Sequence, residues 1–554
     1  MRKILGLLAL ALLTLGAAGV QAGTITVPGD YSTIYAGVQA CPPGDTVLVA
    51  AGTYHDCTHE TEGPGSTPAC VIMKSDVTLI GAGVDATIID AQSQGRGIFV
   101  ELVSNVRIEN LQVRGAFAAV YGAGILLRQL DDTVRITDVK IQANTDGGVI
   151  CINSASPILR RVEFVNNVAK QGGGLAIEEM SNAQVYDCVF TGNSSPSGGA
   201  LIVRADSNAI VDGCIFDGNF TNAAFGNGGA LAVISAAPTI TNCQILNNDT
   251  QGYGGGAAFM SGAGGTFSHS LVMGNTASYT FGLGAGIHTD GSSPLLEYLV
   301  ITDNHATGFN AEGGGINVNF GPAPTIRNCS IFGNSTGSTG VAGGISFQFG
   351  GDALVENCIV AQSVTGAAFY CLSSTPTISC SDVWGNAVDD NLCGTDGGGN
   401  FSLDPQFCVP VGFGLRDVAI GAIDANSPCM PGNHPDGPQA CGGALIGAVD
   451  TSCDTGVDDL PAGAARLVGN APNPFNPKTT IFFVLDRPGL ASIRIHDLAG
   501  RRVATLPVGE LTAGNHQVDW DGRDDAGVSV PSGVYLYTLD ALGETLSGRM
   551  TLVK

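Results

Sequence analysis

Apolar and polar positions recur along much of this chain, between about residue 106 and residue 390, in one short phrase. An apolar residue such as Phe164 is followed three positions later by Asn167, then by a short spacer, a glycine pair at Gly172-Gly173 and an apolar strand. The phrase returns about every 27 residues, and a repeat of this period predicts a stacked solenoid rather than a globule with one core.

Two columns of equivalent positions describe one coil of this solenoid. The first column carries small or apolar residues, as an inward-facing position requires: Leu111, Val139, Val162, Cys188, Cys214, Cys243, Ser270, Leu299, Cys329, Cys358 and Ser381. The second column lies five residues further on and carries asparagine: Asn144, Asn167, Asn193, Asn219, Asn248, Asn275, Asn304, Asn334 and Asn386. We expect the cysteines to be buried apolar thiols and the asparagines to form a structural ladder of amide hydrogen bonds.

A change of parity within the phrase predicts a corner. Ile240 is apolar at an even position, whereas Cys243 and Ile245 are apolar at odd positions, and one straight strand cannot bury both sets. The chain must therefore bend at Asn242. The equivalent residues are types that tolerate the left-handed conformation: Asn110, Asp138, Asp187, Gly213, Asn328 and Asn357.

Each coil is thus predicted to contain three short strands, with the corner between the second and the third. Successive coils stack in parallel at about 4.8 Å, so that about eleven turns form a parallel β-helix roughly 50 Å long. After a Gly/Pro/Asp-rich linker at 451–465, residues 466–554 change to strands of period two separated by turns. That pattern predicts a small β-sandwich, and the fold class is all-β.

The first 22 residues have the pattern of a signal peptide. Arg2 and Lys3 precede an apolar run, and Val20-Gln21-Ala22 is a small-residue cleavage site. The run is short for a membrane span and none comparable follows it, so we expect no transmembrane span after its removal. The predicted location is secreted, or the outer membrane or cell surface.

Composition narrows the function classes. Glycine contributes 80 of 554 residues and only 13% are charged, which excludes a helical bundle. The 24 basic and 49 acidic residues give a net charge of −25, which argues against a nucleic-acid partner.

Sixteen cysteines in an exported chain predict disulfides. Cys41, Cys57 and Cys70 lie at the start of the repeat region, and seven others crowd residues 371–453. These two groups are expected to staple the ends of the solenoid. Their pairing cannot be read from the spacing.

No catalytic residue, metal site or cofactor is predicted. Asn144-Thr145-Asp146-Gly147 matches the first signature of polygalacturonases, but the Asp-Asp, Gly-His-Gly and Arg-Ile-Lys motifs of that family are missing. The aspartates at 519, 521, 524 and 525 are spaced as in a calcium loop, yet they fit a hairpin turn better because no glutamate follows at loop position twelve.

A polar stripe is the candidate ligand site. His288, Asp290, Asn317 and Asn319 are predicted to face outwards on two neighbouring strands. Longer loops nearby carry aromatic residues, among them Tyr279 and Phe281, and aromatic side chains beside amides suit sugar stacking.

The repeat resembles those of chlamydial polymorphic outer-membrane proteins and, more broadly, the right-handed parallel β-helix or pectate-lyase-like superfamily. Residues 44–49 and 52–54 resemble the opening turn of such domains, with residues 31–40 as a capping helix. The resemblance covers about residues 23–450 and implies the fold. It does not choose a function, because members include lyases, hydrolases, esterases, adhesins and phage spikes.

The tail resembles two related families. Residues 473–477, 497–502, 520–527 and 532–535 are similar to the Ig-like domain of flagellar hook-cap proteins and to the C-terminal sorting domain of the type IX secretion system. The resemblance implies an export or attachment module whose partner is the secretion machinery.

Three functions stay open at this point. We favour a non-enzymatic surface protein, adhesin-like or carbohydrate-binding, whose partner is a polysaccharide or a cell-surface glycan. The alternatives are a polysaccharide lyase or glycoside hydrolase acting on acidic polysaccharide, and a purely structural envelope component.

Overall fold

The computed structural model describes most of the chain. The described residues are 23–61, 67–118, 122–278, 282–308, 311–337, 340–407, 420–449, 465–471, 477–485, 487–497, 501–512, 514–531 and 533–552. The predicted signal peptide at 1–22 lies outside the described residues, as does the predicted linker at 451–465 except for its last residue.

The described chain is almost entirely β-structure. A parallel solenoid of about 11 turns is followed by a small antiparallel region, which confirms the predicted fold class. The chain forms two compact units, residues 1–189 and 190–554, and each is described by itself.

In the first unit a short helix, Ile34–Ala40, precedes the coils, with the Thr33 hydroxyl accepting a hydrogen bond from the Ala36 amide at 3.2 Å. One set of strands pairs in parallel along the unit: Thr24–Val27, Thr46–Val49, Gly52–Tyr54, Thr78–Gly81, Thr87–Asp90, Arg107–Arg114, Arg135–Gln142, Ile158–Arg160, Glu163–Val165 and Gln184–Tyr186. A second parallel sheet contains Ala69–Ile72, Arg96–Glu101, Ile125–Arg128, Val149–Ile152 and Leu175–Ile177.

In the second unit the coils continue with three parallel sheets. The first contains Ile210–Asp212, Ile215–Asp217, Thr239–Thr241, Gln244–Leu246, Thr266–Ser268, Leu271–Met273, Leu295–Glu297, Val300–Thr302, Thr325–Arg327, Ser330–Phe332, Leu354–Glu356, Ile359–Ala361, Thr377–Ser379, Asp382–Trp384 and Thr395–Gly398, with Val189–Thr191 at the boundary between the units. The second contains Leu201–Arg204, Leu231–Ile234, Ala257–Met260, Ile287–Asp290, Ile316–Asn319, Ala342–Gln348 and Ala367–Leu372.

The third sheet was not expected from the sequence. It consists of two-residue strands: Ser194–Ser195, Phe220–Thr221, Asp249–Thr250, Thr276–Ala277, His305–Ala306 and Ser335–Thr336. These coils therefore contain four strands rather than the predicted three. The short strands follow the asparagine column directly, so their sequence has too few residues to show a period.

The predicted corner is present. The seven residues predicted to bend all have φ between +51° and +66°: Asn110, Asp138, Asp187, Gly213, Asn242, Asn328 and Asn357. Arg161, His269 and Tyr298 adopt the same conformation at their own corners, with φ of 50°, 49° and 52°. The stacking of the coils therefore imposes the bend even on residue types that disfavour it.

The asparagine column forms the predicted ladder. Asn248 accepts hydrogen bonds on Oδ1 from the amide and the Nδ2 of Asn219, at 2.9 and 3.0 Å. Its own Nδ2 donates to Asn275 Oδ1 at 2.9 Å and to the carbonyl of Phe216 at 3.0 Å. All of these amides are buried, so the ladder satisfies polar groups that water cannot reach.

The cysteines divide nearly as predicted. The five in the repeat column are buried free thiols, and burial raises the pKa of Cys243 and Cys329. Disulfides join Cys57 to Cys70, Cys371 to Cys393 and Cys380 to Cys441. Cys41 and Cys429, which were expected to be staples, are instead buried free thiols, and Cys408 and Cys453 lie outside the described residues.

Beyond the last coil, residues 420–449 pack against the outer face of the first sheet. Ile423, Cys429 and Ile446 form a buried apolar cluster with Ile359 and Ala361. Residues 440–443 of this segment form a short 3₁₀ turn, Ala440–Gly443.

Asp382 is buried beside this cluster. Its Oδ1 accepts from the amide of Leu403 at 3.1 Å, and its Oδ2 lies 3.2 Å from the Cys429 thiol. Burial raises the pKa of Asp382 to about 7.

Residues from 465 onwards form two antiparallel sheets. One contains Ala465–Ala471, Thr479–Leu485 and Gly514–Trp520, and the other contains Gly489–Asp497, Arg502–Leu511, Gly533–Ala541 and Glu544–Leu552. Ile481 and Phe483 from the first sheet share one core with Ile493 and Tyr537 from the second, so the two sheets form a small sandwich.

Candidate functional site

Six polar residues form a grid on the outer face of the second sheet in the second unit. Register places His288 beside Asn317 and Asn317 beside Ser346, and it places Asp290 beside Asn319 and Asn319 beside Gln348. The positions that flank this grid along the sheet carry Ala258 and Met260 on one side and Tyr370 and Leu372 on the other. The polar grid is therefore confined to three neighbouring coils.

The first row of the grid is buried. His288, Asn317 and Ser346 are exposed to 1%, 0% and 0%. His288 Nδ1 lies 3.0 Å from Asn317 Oδ1. Because an amide oxygen only accepts, Nδ1 carries the proton and Nε2 is an acceptor.

Burial lowers the pKa of His288 to about 4, against the opposing effect of its hydrogen bond to Asn317. The ring is therefore neutral at ordinary pH. His288 Nε2 and Asn317 Nδ2 are buried and have no hydrogen-bond partner among the described residues.

The second row is nearer to solvent. Asp290 and Asn319 are half-buried, and Gln348 is exposed to 5%. Burial raises the pKa of Asp290. Asn319 Oδ1 is a further buried acceptor that no described group satisfies.

Two loop residues cover the buried row. The residues that precede the glycine turns form a parallel row of bridges, Ser197 to Asn227 to Tyr253 to Leu283 to Glu312. The Tyr253 ring stacks on His288 with centroids 5.1 Å apart. Glu312 Oε2 accepts from the Ser346 hydroxyl at 3.1 Å and from Gln348 Nε2.

Glu312 adds a second carboxyl group to the grid. Burial raises its pKa, and the hydrogen bond from Ser346 opposes that shift. Asp290 and Glu312 thus both hold a proton more readily than an exposed carboxyl group does.

The structure brings together the four strand residues predicted from the sequence, with one correction. Asp290 and Asn319 are half-buried and reach solvent, as predicted. His288 and Asn317 lie on the outer face of the sheet, but loop residues cover them and they do not reach solvent. Tyr279 and Phe281 lie outside the described residues. Among the described residues, no three histidine, cysteine, aspartate or glutamate side chains are grouped to hold a metal ion.

The sequence reading missed Glu312, Ser346 and Tyr253. Glu312 occupies the position directly before a glycine pair, where the other coils of the bridge row carry Ser197, Asn227, Tyr253 and Leu283. A lone acidic residue in that column was the available signal.

The family model described as "Right handed beta helix region" matches residues 123–297 and 279–403, which together cover half of the chain. The chain belongs to the right-handed β-helix family. The model described as "FlgD Ig-like domain" matches residues 479–544, so this β-helix protein carries an Ig-like domain at its C-terminal end.

Among curated proteins, the β-helix protein is 47% identical over 47 residues to the basal-body rod modification protein FlgD of Salmonella typhimurium. The match covers 8% of this chain and 20% of that protein, so the chain spans about a fifth of the length of the curated relatives it matches. FlgD of Salmonella typhi matches over the same share.

Among solved structures, the β-helix resembles the PL6 family alginate lyase AlyGC, with 15% identity, coverage of 63% of this chain and 53% of that chain, and a TM-score of 0.37. It also resembles the A-module of the mannuronan C-5 epimerase AlgE6 of Azotobacter vinelandii, with 14% identity, coverage of 66% and 92%, and a TM-score of 0.27. No helix in the described part of the chain is long and apolar enough to cross a membrane.

Proposed function

We propose that this β-helix protein is an exported, surface-held or secreted protein that binds a carbohydrate chain on the outer face of its second sheet. The observation that carries the proposal is the polar grid, which occupies three coils of a sheet face and is flanked by Ala258 and Met260 on one side and by Tyr370 and Leu372 on the other. Asp290 presents carboxyl oxygens for sugar hydroxyl groups at its accessible edge, and the half-buried Asn319 beside it carries a buried Oδ1 that no described group satisfies.

The charge of the grid favours a neutral glycan. The strands Ile287–Asp290, Ile316–Asn319 and Ala342–Gln348 contain no lysine or arginine, and His288 is neutral. Asp290 and Glu312 would repel the carboxylates of a polyuronate. The proposal therefore departs from the acidic polysaccharide expected for a lyase.

Binding can be measured by calorimetry on the mature protein. The panel contains neutral hexasaccharides (cellohexaose, laminarihexaose and mannohexaose) and two anionic oligomers, oligogalacturonate and oligoalginate, each with and without calcium. We expect a neutral member to bind and Asn319→Ala to weaken it about tenfold, because one buried hydrogen bond is worth about 1 kcal/mol or slightly more. Asn222→Ala, an exposed asparagine of the same unit, is the matched control. Binding of the anionic oligomers alone would contradict the proposal.

A glycoside hydrolase is the second candidate. The raised pKa values of Asp290 and Glu312 favour it, because a protonated carboxyl group can act as a general acid. Release of reducing ends from a neutral oligosaccharide, abolished by Glu312→Gln with binding retained, would select this candidate. Binding without release would support the non-enzymatic, adhesin-like role.

We also propose that residues 466–554 act as a secretion, sorting or anchoring module. The match of residues 479–544 to an Ig-like domain supports an attachment role rather than catalysis. Deleting residues 466–554 in the source bacterium should move the protein from the cell surface or medium to the periplasm. An unchanged distribution in cell fractions would contradict this role.

A further inference from the structure

Two exposed phenylalanines stand directly beside the polar grid. Phe320 follows Asn319 and Phe349 follows Gln348, and their rings stack with centroids 5.6 Å apart and planes 23° apart. They are exposed to 47% and 50%. No packing within the described residues accounts for placing two large apolar rings in solvent at this point.

Phe320 and Phe349 both lie at the left-handed turn that follows a strand of the second sheet. Every coil of the second unit turns at this point with a left-handed residue, and Phe320 and Phe349 have φ of 56° and 50°. The equivalent residues in neighbouring coils are small: Ala205, Ser235, Ser261, Gly291 and Ser373. Bulky side chains are disfavoured in this conformation, although Leu102, Gln129 and Glu179 adopt it at the same turn in the first unit.

The stack leaves one ring face open. Phe349 covers one face of Phe320, and the other face is turned towards the preceding coil, where the equivalent residue is Gly291. The backbone ladder establishes this equivalence, since the Gly291 amide donates to the Asn319 carbonyl at 2.9 Å and the Phe320 amide donates to the Gln348 carbonyl at 3.0 Å.

Among the described residues, almost nothing lies close to the position that a side chain on Gly291 would occupy. A Cβ atom built on Gly291 would meet one atom, the carbonyl oxygen of Gly321, at 4.0 Å. The next coil carries Ser261, whose side chain is short. One position of the stack is therefore vacant, between Phe320 and Ser261, and its depth is that of about one coil spacing, roughly 4.8 Å.

We propose that this vacant position is a stacking subsite for one neutral sugar ring, which lies with its apolar C–H face on Phe320. The inference rests on the proposed glycan binding, and it names Phe320 as the side chain that would fix the position of the oligosaccharide along the sheet. The ring's equatorial hydroxyl groups project from its edge, where Asp290 can accept hydrogen bonds from them. A flat ring with one apolar face and a polar edge fits an aromatic face bordered by a carboxyl group and an amide.

A protein loop or a lipid would need a wider apolar surface than this stack provides. The two phenylalanines are bordered by Ser261, Ser373, Asp290 and Asn319, which are small or polar, and Leu372 beside Gln348 adds one exposed apolar side chain. A sugar residue matches that mixture, and its neutral character follows from the carboxyl group at the edge.

Filling the vacancy tests the subsite. Gly291→Phe extends the stack by one ring and occupies the space, whereas Gly291→Ser, which copies the residue type of the left-handed positions Ser235 and Ser261, is the matched control. Phe320→Ala removes the stacking face instead. For the neutral hexasaccharide of the panel that binds best, we expect Gly291→Phe and Phe320→Ala to raise Kd at least tenfold and Gly291→Ser to change it less than twofold. Circular dichroism and thermal unfolding establish that each variant is folded.

A second readout reports stacking directly. The ring C–H protons of one sugar residue should shift upfield in the NMR spectrum of the complex, and this shift should disappear in Phe320→Ala. If the wild-type chain binds and Asn319→Ala weakens binding, but Gly291→Phe, Phe320→Ala and the proton shifts show no effect, the subsite is wrong and glycan binding stands. If the wild-type chain binds no neutral oligosaccharide, both proposals are wrong.

Discussion

His288 Nδ1 and Asn317 Oδ1 lie 3.0 Å apart on neighbouring strands, and both side chains are buried. The hydrogen bond holds the imidazole as its Nδ1–H tautomer, while burial lowers its pKa to about 4. A neutral histidine at the end of the buried row cannot carry charge to a ligand at ordinary pH, so its role in the grid is to orient Asn317.

His288 should stay neutral between pH 8 and pH 5. Its folded pKa is lower than the 6.5 of an unfolded chain, so its contribution to stability is complete above pH 6.5 and is lost as the pH falls towards 4. The loss amounts to up to about 3 kcal/mol. Imidazole nitrogen shifts measured by NMR should show the Nδ1–H tautomer throughout this range. Titration near pH 6.5, or an equal acid sensitivity in His288→Gln, would contradict the assignment.

Asn248→Ala should strongly destabilise the solenoid. It leaves the Asn219 amide, the Asn275 Oδ1 and the Phe216 carbonyl with one hydrogen bond fewer each in a buried column, and we expect a loss of about 4 kcal/mol in the free energy of unfolding. Urea unfolding followed by circular dichroism measures the change. Asn222→Ala, at an exposed position, should stay within about 0.5 kcal/mol. Equal effects of the two substitutions would refute a structural ladder.

Asp382→Asn should change the pH dependence of stability. The folded pKa of Asp382 is about 7, well above the 3.8 of an unfolded chain, so its stabilising contribution is complete below pH 3.8 and is lost as the pH rises through 7. The asparagine variant keeps an acceptor for the Leu403 amide and does not ionise. At pH 8 it should therefore be more stable than the wild-type chain, by up to about 4 kcal/mol. Thermal unfolding at pH 5 and pH 8 gives the comparison, and a constant difference between the two proteins would contradict it.

Leu102→Asn should stabilise the first unit. Leu102 is exposed to 70% and has φ of 52°, a conformation that asparagine adopts more readily than leucine. The expected gain is about 1 kcal/mol, measured by chemical denaturation. Leu48→Asn, at a position exposed to 41% within an extended strand, should give no gain. A similar gain in the free energy of unfolding for Leu48→Asn would show that the gain comes from removing an exposed apolar side chain and not from relieving backbone strain.

The coil could be predicted from local features because each coil repeats them. Asn242 at the corner, Cys243 in the interior and Asn248 in the ladder lie within seven residues of one another, and the change of parity between Ile240 and Cys243 indicates the bend. The two-residue strands such as Asp249–Thr250 could not be predicted in this way, since a strand that short has no period. The free thiol of Cys429 was also missed, because spacing does not reveal which cysteines meet.

The candidate site was only partly predictable. Asp290 and Asn319 follow from their outward positions on strands whose register the repeat already indicates. Glu312 does not, because it reaches Ser346 from a loop, and the two residues are 34 positions apart.

The sequence by itself determined the repeating coil, the inward cysteines, the asparagine ladder and the left-handed corner, because each depends on residue types at a constant spacing that alternation and backbone sterics translate directly into structure. Only the tertiary structure decided which polar groups are covered, which carboxyl groups are partly desolvated, and that Phe320 faces an empty position over Gly291. Those properties depend on which coils and loops lie against one another, and burial at such contacts is set by neighbours that are distant along the chain.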